Sequence, residues 1–256
     1  MSETITATKI NTKDSIETLS WYWCLWNLVG IILPFTLLTL IAFLPVYQWA
    51  EKTPLGFLAG ALYNGFVFMG VIALTFMFLH WSRHAILSTL NKILGLVKVG
   101  WKPMLVGVGV GAAGVLLSFV VAFIVSLFGD NSQPNATSTA AALYDPWVLF
   151  LGAVLVAPVV EEVFFRGYIF GTLMIGAKNS EKHQKLCTAL SILITSILFG
   201  LAHFSPGSGF LSGLATVLST MTLSVGLCWM RLKWGSIIPG MLSHALYNLI
   251  VLLLVI

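Results

Sequence analysis

Seven apolar stretches separated by short polar breaks make up most of the chain: Asn27–Tyr47, Phe57–Leu79, Met104–Phe128, Trp147–Ile175, Leu186–Phe204, Phe210–Met230 and Ser236–Ile256. Each is near or above the ~20 residues that an α-helix needs to bridge about 30 Å of hydrocarbon. The fourth is long enough to project into the interface. The pattern predicts an all-α, polytopic transmembrane bundle of about seven helices. It forms a single domain over 27–256, behind a short polar tail at 1–26. The tail carries Glu3, Asp14 and Glu17 and has no apolar stretch ending in a small-residue cleavage site, so it does not read as a signal peptide. Asp130–Asp145 is the one polar loop rich in Ser, Thr, Asn and Pro, and it contains the formal glycosylation sequon Asn135-Ala136-Thr137.

Composition strengthens the membrane reading. The chain is 58% hydrophobic and 9% charged, with mean hydropathy +0.97, whereas a soluble domain carries about 25% charged residues. The net charge of +4 comes without a basic run interleaved with aromatics, which argues against nucleic acid as a partner. It reads as orientation instead. With the N-terminus in the cytoplasm and alternating spans, Lys9, Lys13, Arg83, Lys92, Lys98, Lys102, Arg166, Lys178, Lys182, Lys185, Arg231 and Lys233 fall on the cytoplasmic side. Only Lys52 falls outside, giving an N-in, C-out topology. Trp21, Trp23, Trp26, Trp81, Trp101, Trp147 and Trp234 sit near span ends, as an aromatic belt does. The chain is expected to be an integral, multi-pass protein of a bacterial inner membrane. Cys24, Cys187 and Cys228 lie far apart in apolar segments and read as small buried hydrophobes. Gly107, Gly109, Gly111 and Gly114 in the third span read as a helix-packing face, since no strand or Lys-Ser/Thr accompanies them as a nucleotide loop requires.

Ionisable groups inside spans are the informative exceptions, because a charge at a membrane helix centre costs ~2.5–3.5 kcal/mol on insertion scales. The first three spans hold none apart from His80 at an edge, whereas the later ones hold Glu161, Glu162, Arg166, His203 and His244, with Asn248 one turn beyond His244. Glu162 and Arg166 stand at i and i+4 and can pair along one helix face, while Glu161 points about 100° away. Glu161 is thereby left for another partner, or it snorkels to water from an interfacial salt bridge. His203 alone reads as a structural hydrogen-bonding residue, and the His244/Asn248 pair alone reads as interhelical glue. Together on three spans they suit water activation. Glu161 and His203 can hold and deprotonate a water, and His244 and Asn248 can donate to a developing oxyanion. Two His and a Glu also meet the inventory of a catalytic zinc site, although no His-Glu-x-x-His helix is present.

Glu161-Glu162-x-x-x-Arg166, Phe199-x-x-x-His203 and His244-x-x-x-Asn248, in that order on successive spans, resemble the motifs of the CAAX-protease and bacteriocin-processing (CPBP, Abi) family. That family of intramembrane proteases includes the type II CAAX prenyl endopeptidases. The resemblance covers roughly Trp147 to the C-terminus, the expected catalytic core at about 147–256. It implies a glutamic endopeptidase that cuts membrane-associated or lipid-modified polypeptides within the lipid bilayer. Glu161 and His203 would work on the attacking water, His244 and Asn248 on the oxyanion, and Glu162, Arg166 and Phe199 would support them. It implies no metal cofactor; a zinc ion, if present, would be held by Glu161, His203 and His244. Family members commonly have a further helix after the HxxxN motif, where this chain stops at Ile256. The far wall of the site is then expected from the N-terminal helices or from a second subunit in a homo-oligomer.

Two other functions fit the same residues. A non-enzymatic scaffold or immunity protein would keep the site architecture and act by binding. A proton-coupled transporter also uses buried Glu and His, but the paired broken helices of inverted-repeat carriers are absent from the pattern. Depth poses a difficulty for the enzyme. Measured along straight spans, Glu161 lies ~21 Å from the outer face and His203 ~25 Å from the inner one, too far outward to meet. Strong tilt, or a fifth span starting near Ser191, would close the gap.

Overall fold

The computed structural model of the chain describes residues 20–30, 52–83, 93–129, 136–204 and 209–256. Helix α1 covers 21–30, α2 Gly56–Arg83, α3 Trp101–Ser126, and a short α4 Ala136–Leu143. The continuous α5 covers Pro146–Lys178; α6 runs over Gln184–Ala202, α7 over Phe210–Trp234 and α8 over Ile238–Leu253. No strand occurs among the described residues. Five helices there are long and apolar enough to cross a membrane: α2, α3, α5, α6 with its leading turn, and α7. The first expected span lies mostly outside the described residues. The last shortens to the 16 residues of α8, about 24 Å, less than a full crossing. The polar Asp130–Asp145 segment is not loop throughout, since α4 occupies its second half, while Asn135 of the sequon lies outside the described residues.

Pro146 is the first residue of α5 and Pro239 the second of α8, within the first turn where a missing N–H costs nothing. Gly235 closes α7 in the left-handed conformation, φ 65°, and the chain turns directly into α8. Helix α3 packs against both α7 and α8. A Cβ at Gly107 would stand 2.6 Å from the Pro239 carbonyl oxygen, and one at Gly111 2.5 Å from that of Ser243. Only glycine allows so close a backbone approach. Gly114 faces Leu223 and Tyr247, but Gly109 has open space and takes no part in the packing face expected of it.

Helix α5 is irregular in a way that matters. Two π-helical segments, Phe150–Val156 and Val163–Ile169, flank the α-helical turn Ala157–Glu162. Such bulges concentrate at functional sites. At 33 residues α5 is about 50 Å long, well beyond the hydrocarbon thickness. Glu161 is therefore in mid-helix, not near a cytoplasmic span end. Arg166 is fully buried and drops out of the loop charges that orient the chain.

Candidate active site

Helices α5 and α6 form an antiparallel hairpin turning at Glu181–His183. Glu161 precedes the end of α5 by 17 residues and His203 follows the start of α6 by 19. Each stands about 25–28 Å from the same turn, which brings them level. The expected depth mismatch disappears for that reason. A fifth span starting near Ser191 does not occur, since the helix begins at Gln184. The error lay in assuming that the long fourth span ends at the bilayer face.

The buried half of the site is a shared carboxylate. Glu162 Oε1 accepts from Arg166 Nη1 at 2.8 Å and from His244 Nδ1 at 3.1 Å, and all three residues are at most 1% exposed. The Arg166 guanidinium lies over the Phe199 ring, 4.0 Å from its centroid, and the same ring meets His244 edge-on at 5.4 Å. A desolvated cation on an aromatic face contributes roughly 2 kcal/mol. Phe199 is thus a platform that fixes the guanidinium and the His244 imidazole at once. Phe165 continues the stack, 5.1 Å from Phe199, into a cluster with Phe164, Tyr168 and Phe68.

The open half faces away from that pair. Glu161 and His203 side chains keep 21% and 28% of their surface, and Glu161 Oε2 lies 3.5 Å from His203 Nε2 and 3.9 Å from His244 Nε2. His203 ends α6, where its backbone N–H bonds to the Gly200 carbonyl and its Nδ1 lies 2.7 Å from the Phe199 carbonyl. A carbonyl only accepts, so Nδ1 carries a proton and a neutral His203 presents a lone pair at Nε2. By the same reasoning the ionised Glu162 places a proton on His244 Nδ1. One carboxylate oxygen and two imidazole nitrogens then converge on one region from α5, α6 and α8, all within 4.8 Å of one another. With His244 neutral such a group is completed by a cation; with a second proton on His244 Nε2 it holds a molecule that donates to Glu161 and His203 and accepts from His244.

Asn248 stands one turn beyond His244 on α8. Its amide nitrogen donates to the Ala153 carbonyl oxygen at 2.8 Å, in the first π segment of α5. Sequence reasoning also passed over several residues. Cys228, fully buried, neighbours Arg166 and Ser224. Gly240 lies so near Glu162 Oε2 that a Cβ there would approach to 3.2 Å. The buried Ser243, Thr195 and Ser196 hydroxyls have no hydrogen-bond partner among the described residues. The Pro239-Gly240 pair at the start of α8 was the only sequence signal among these, as small residues mark close helix approach. Of the N-terminal helices from which a far wall was expected, α2 packs on α5 and α3 on α8.

Residues 143–250 match the family model described as type II CAAX prenyl endopeptidase Rce1-like. The match covers the three motifs and supports a function of the CAAX-type intramembrane protease kind. Neither a curated protein nor a solved structure gives a match.

Proposed function

From this Rce1-like core we propose that the chain is an intramembrane endopeptidase whose Glu161 and His203 activate a water against a peptide bond of a membrane-associated or lipid-modified polypeptide. The observation that carries the reading is the approach of Glu161 Oε2 to two imidazole Nε2 atoms, 3.5 and 3.9 Å away, on the open side of a sealed ion pair. A water between Glu161 and His203 donates one hydrogen to each acceptor, which leaves an oxygen lone pair for the scissile carbonyl. The C–O bond forms as Glu161 takes the proton. That proton then passes to the leaving amine as the C–N bond breaks, and the new carboxylic acid gives its own proton to the amine, leaving a carboxylate and an ammonium group.

Charge develops on the carbonyl oxygen beside His244 Nε2. To donate there, His244 carries protons on both nitrogens, with Nδ1–H on Glu162. The cluster is then neutral overall, Glu161 and Glu162 balanced by Arg166 and His244. A neutral, water-poor cluster of fixed dipoles stabilises an oxyanion better than water does.

The donor set also suits zinc, since Glu161, His203 and His244 match a two-His, one-Glu catalytic inventory with both Nδ1 atoms held by outer partners. A zinc ion bound there would supply Lewis-acid polarisation of water. The proposed reaction runs on the chain's own groups.

The test uses purified protein in liposomes and a fluorogenic, farnesylated peptide ending in a CAAX sequence. Glu161→Gln, Glu161→Ala and His203→Ala should each lower turnover by ~100-fold or more, with the yield of folded protein unchanged. Full activity in Glu161→Ala would end the assignment and favour a binding role. Elemental analysis of the active preparation decides the metal: stoichiometric zinc, lost in His203→Ala, would replace the metal-free mechanism. Comparing the membrane proteomes of cells carrying wild type and Glu161→Ala for an uncut protein would identify the natural substrate.

A further inference from the structure

Helices α3 and α7 run antiparallel in a register that two close approaches define. A Cβ at Gly226 would stand 2.9 Å from Val110 Cγ1, and one at Gly114 would stand 3.0 Å from Leu223 Cδ1. Lys102 precedes Val110 by as many residues as Trp234 follows Gly226, so Lys102 lies level with Trp234 and its neighbour Lys233. Lys233 Nζ sits 4.9 Å from the Trp229 ring centroid and 5.0 Å from that of Trp234, and Lys102 Nζ sits 5.8 Å from that of Trp101. Neither α3 nor α7 contains an acidic residue. Two exposed ammonium groups thus stand on aromatic rings without a carboxylate from either helix, at the end that carries Lys178, Lys182 and Lys185. Positive charge assigns that end to the cytoplasm.

From Lys233, one face of α7 continues through Trp229, Val225, Thr222 and Leu218, at steps of three or four residues. The last three, with Met221 and with Val121 and Ile124 of α3, line an apolar cavity of 320 Å³. Ligand pockets occupy about 300–1,000 Å³. The Thr222 hydroxyl donates to the Ser219 carbonyl at 2.7 Å, so its proton is not offered to the cavity. Along α7 the cavity begins ~12 Å from Lys233, at Val225, and ends ~22 Å from it, at Leu218. With ~6 Å allowed for the headgroup layer, it lies ~6–16 Å inside the hydrocarbon and ends near the bilayer midplane at ~15 Å. That is the depth of an acyl tail anchored at Lys102 and Lys233.

From this we infer that the α3–α7 groove binds one anionic phospholipid of the cytoplasmic leaflet. Its phosphate rests between Lys102 and Lys233, its glycerol lies beside Trp229, and one tail fills the cavity. Basic pockets between transmembrane helices on the cytoplasmic side recognise such headgroups. Glu161, His203 and His244 take no part in lining the cavity, and the inference stands apart from the peptidase reading.

Native mass spectrometry of the full chain in detergent tests it, with dioleoylphosphatidylglycerol and dioleoylphosphatidylcholine titrated separately. Wild type should retain one phosphatidylglycerol and bind it about 30-fold more tightly than phosphatidylcholine, as two lysines near an anionic headgroup allow. The double variant Lys102→Gln/Lys233→Gln should lose that preference. Val225→Trp fills the cavity from its half-exposed rim and should weaken both lipids while keeping the preference between them. Leu218→Trp does the same if Val225→Trp fails to fold, and thermal unfolding in lipid-free detergent identifies the folded variants. Equal binding of the two lipids by wild type would overturn the inference. So would phosphatidylglycerol binding that survives either the lysine pair or the filled cavity. Displacement of the lipid by inorganic phosphate alone would reduce the site to an ion contact, and displacement by farnesylcysteine methyl ester would assign the cavity to an isoprenoid. Either result would equally overturn the assignment to a phospholipid.

Discussion

Glu161 and Glu162 are adjacent and identical, yet their surroundings separate them completely. Glu162 is sealed, with one oxygen shared by Arg166 and His244, whereas Glu161 keeps about a fifth of its surface and faces two imidazoles. Stability and activity should therefore divide between them. Arg166→Met leaves Glu162 buried with its strongest partner removed, and Glu162→Gln does the same to Arg166. Breaking a buried pair from one side costs about 3–5 kcal/mol, so both variants should melt on the order of 10 °C lower. Glu161→Gln changes one oxygen of a side chain that keeps about a fifth of its surface and has no salt bridge to Arg166, and it should melt within a degree or two of wild type while losing turnover. Thermal unfolding followed by tryptophan fluorescence makes the comparison, and a low-melting Glu161→Gln would contradict the division. The i, i+4 geometry made the Glu162–Arg166 pair legible in the sequence. The third partner, His244, was not legible at Glu162, because that contact joins residues 82 positions apart and depends on how α8 lies against α5.

At the scale of helices, the site is set by two close contacts and two irregularities. Glycine spacing in α3 marked a packing face, but the sequence could not say that Gly109 points elsewhere. The structure turns that difference into an internal control. Gly111→Ala drives a methyl group into the Ser243 carbonyl, next to His244, and overpacking of this kind costs about 1–3 kcal/mol. It should lower both Tm and turnover, because α8 must shift and carry His244 with it. Gly109→Ala meets nothing within 4 Å and should leave both unchanged or slightly raise Tm. Equal effects at the two positions would refute the packing account. The π segments of α5 had no signature beyond Pro158, since apolar patterning is indifferent to whether a carbonyl bonds four or five residues ahead. For the same reason the Asn248–Ala153 bond was out of reach.

Across the whole molecule the bundle has two chemically different ends. The Ile93 and Leu94 backbone lies against Gly171 and Gly167 of α5, the Arg231 guanidinium donates to the Ile93 and Gly235 carbonyls, and Ser236 donates to Val97 at 2.6 Å. These contacts put the segment before α3, the second half of α5 and the end of α7 together. Lys98, Lys102, Lys178, Lys182, Lys185, Arg231 and Lys233 thus gather at one end. Arg166 leaves the charge tally drawn from sequence, and Lys9, Lys13 and Lys92 lie outside the described residues. Spans were legible for a simple reason: apolar length is a local property. Depth was not, since bilayer thickness is a poor ruler for a 33-residue helix. Positive charge is retained on the cytoplasmic side during insertion, so the α5–α6 turn should face the cytoplasm. Cys24, Cys187 and Cys228 are all buried, which allows Lys182→Cys to report alone without a cysteine-free background. A membrane-impermeant maleimide should label Lys182→Cys only after the cells are broken open, with wild type dark in both conditions. Labelling in intact cells would reverse the assigned orientation. It would also place the open side of Glu161 and His203 at the opposite end of the substrate's path, while leaving the geometry of the site untouched.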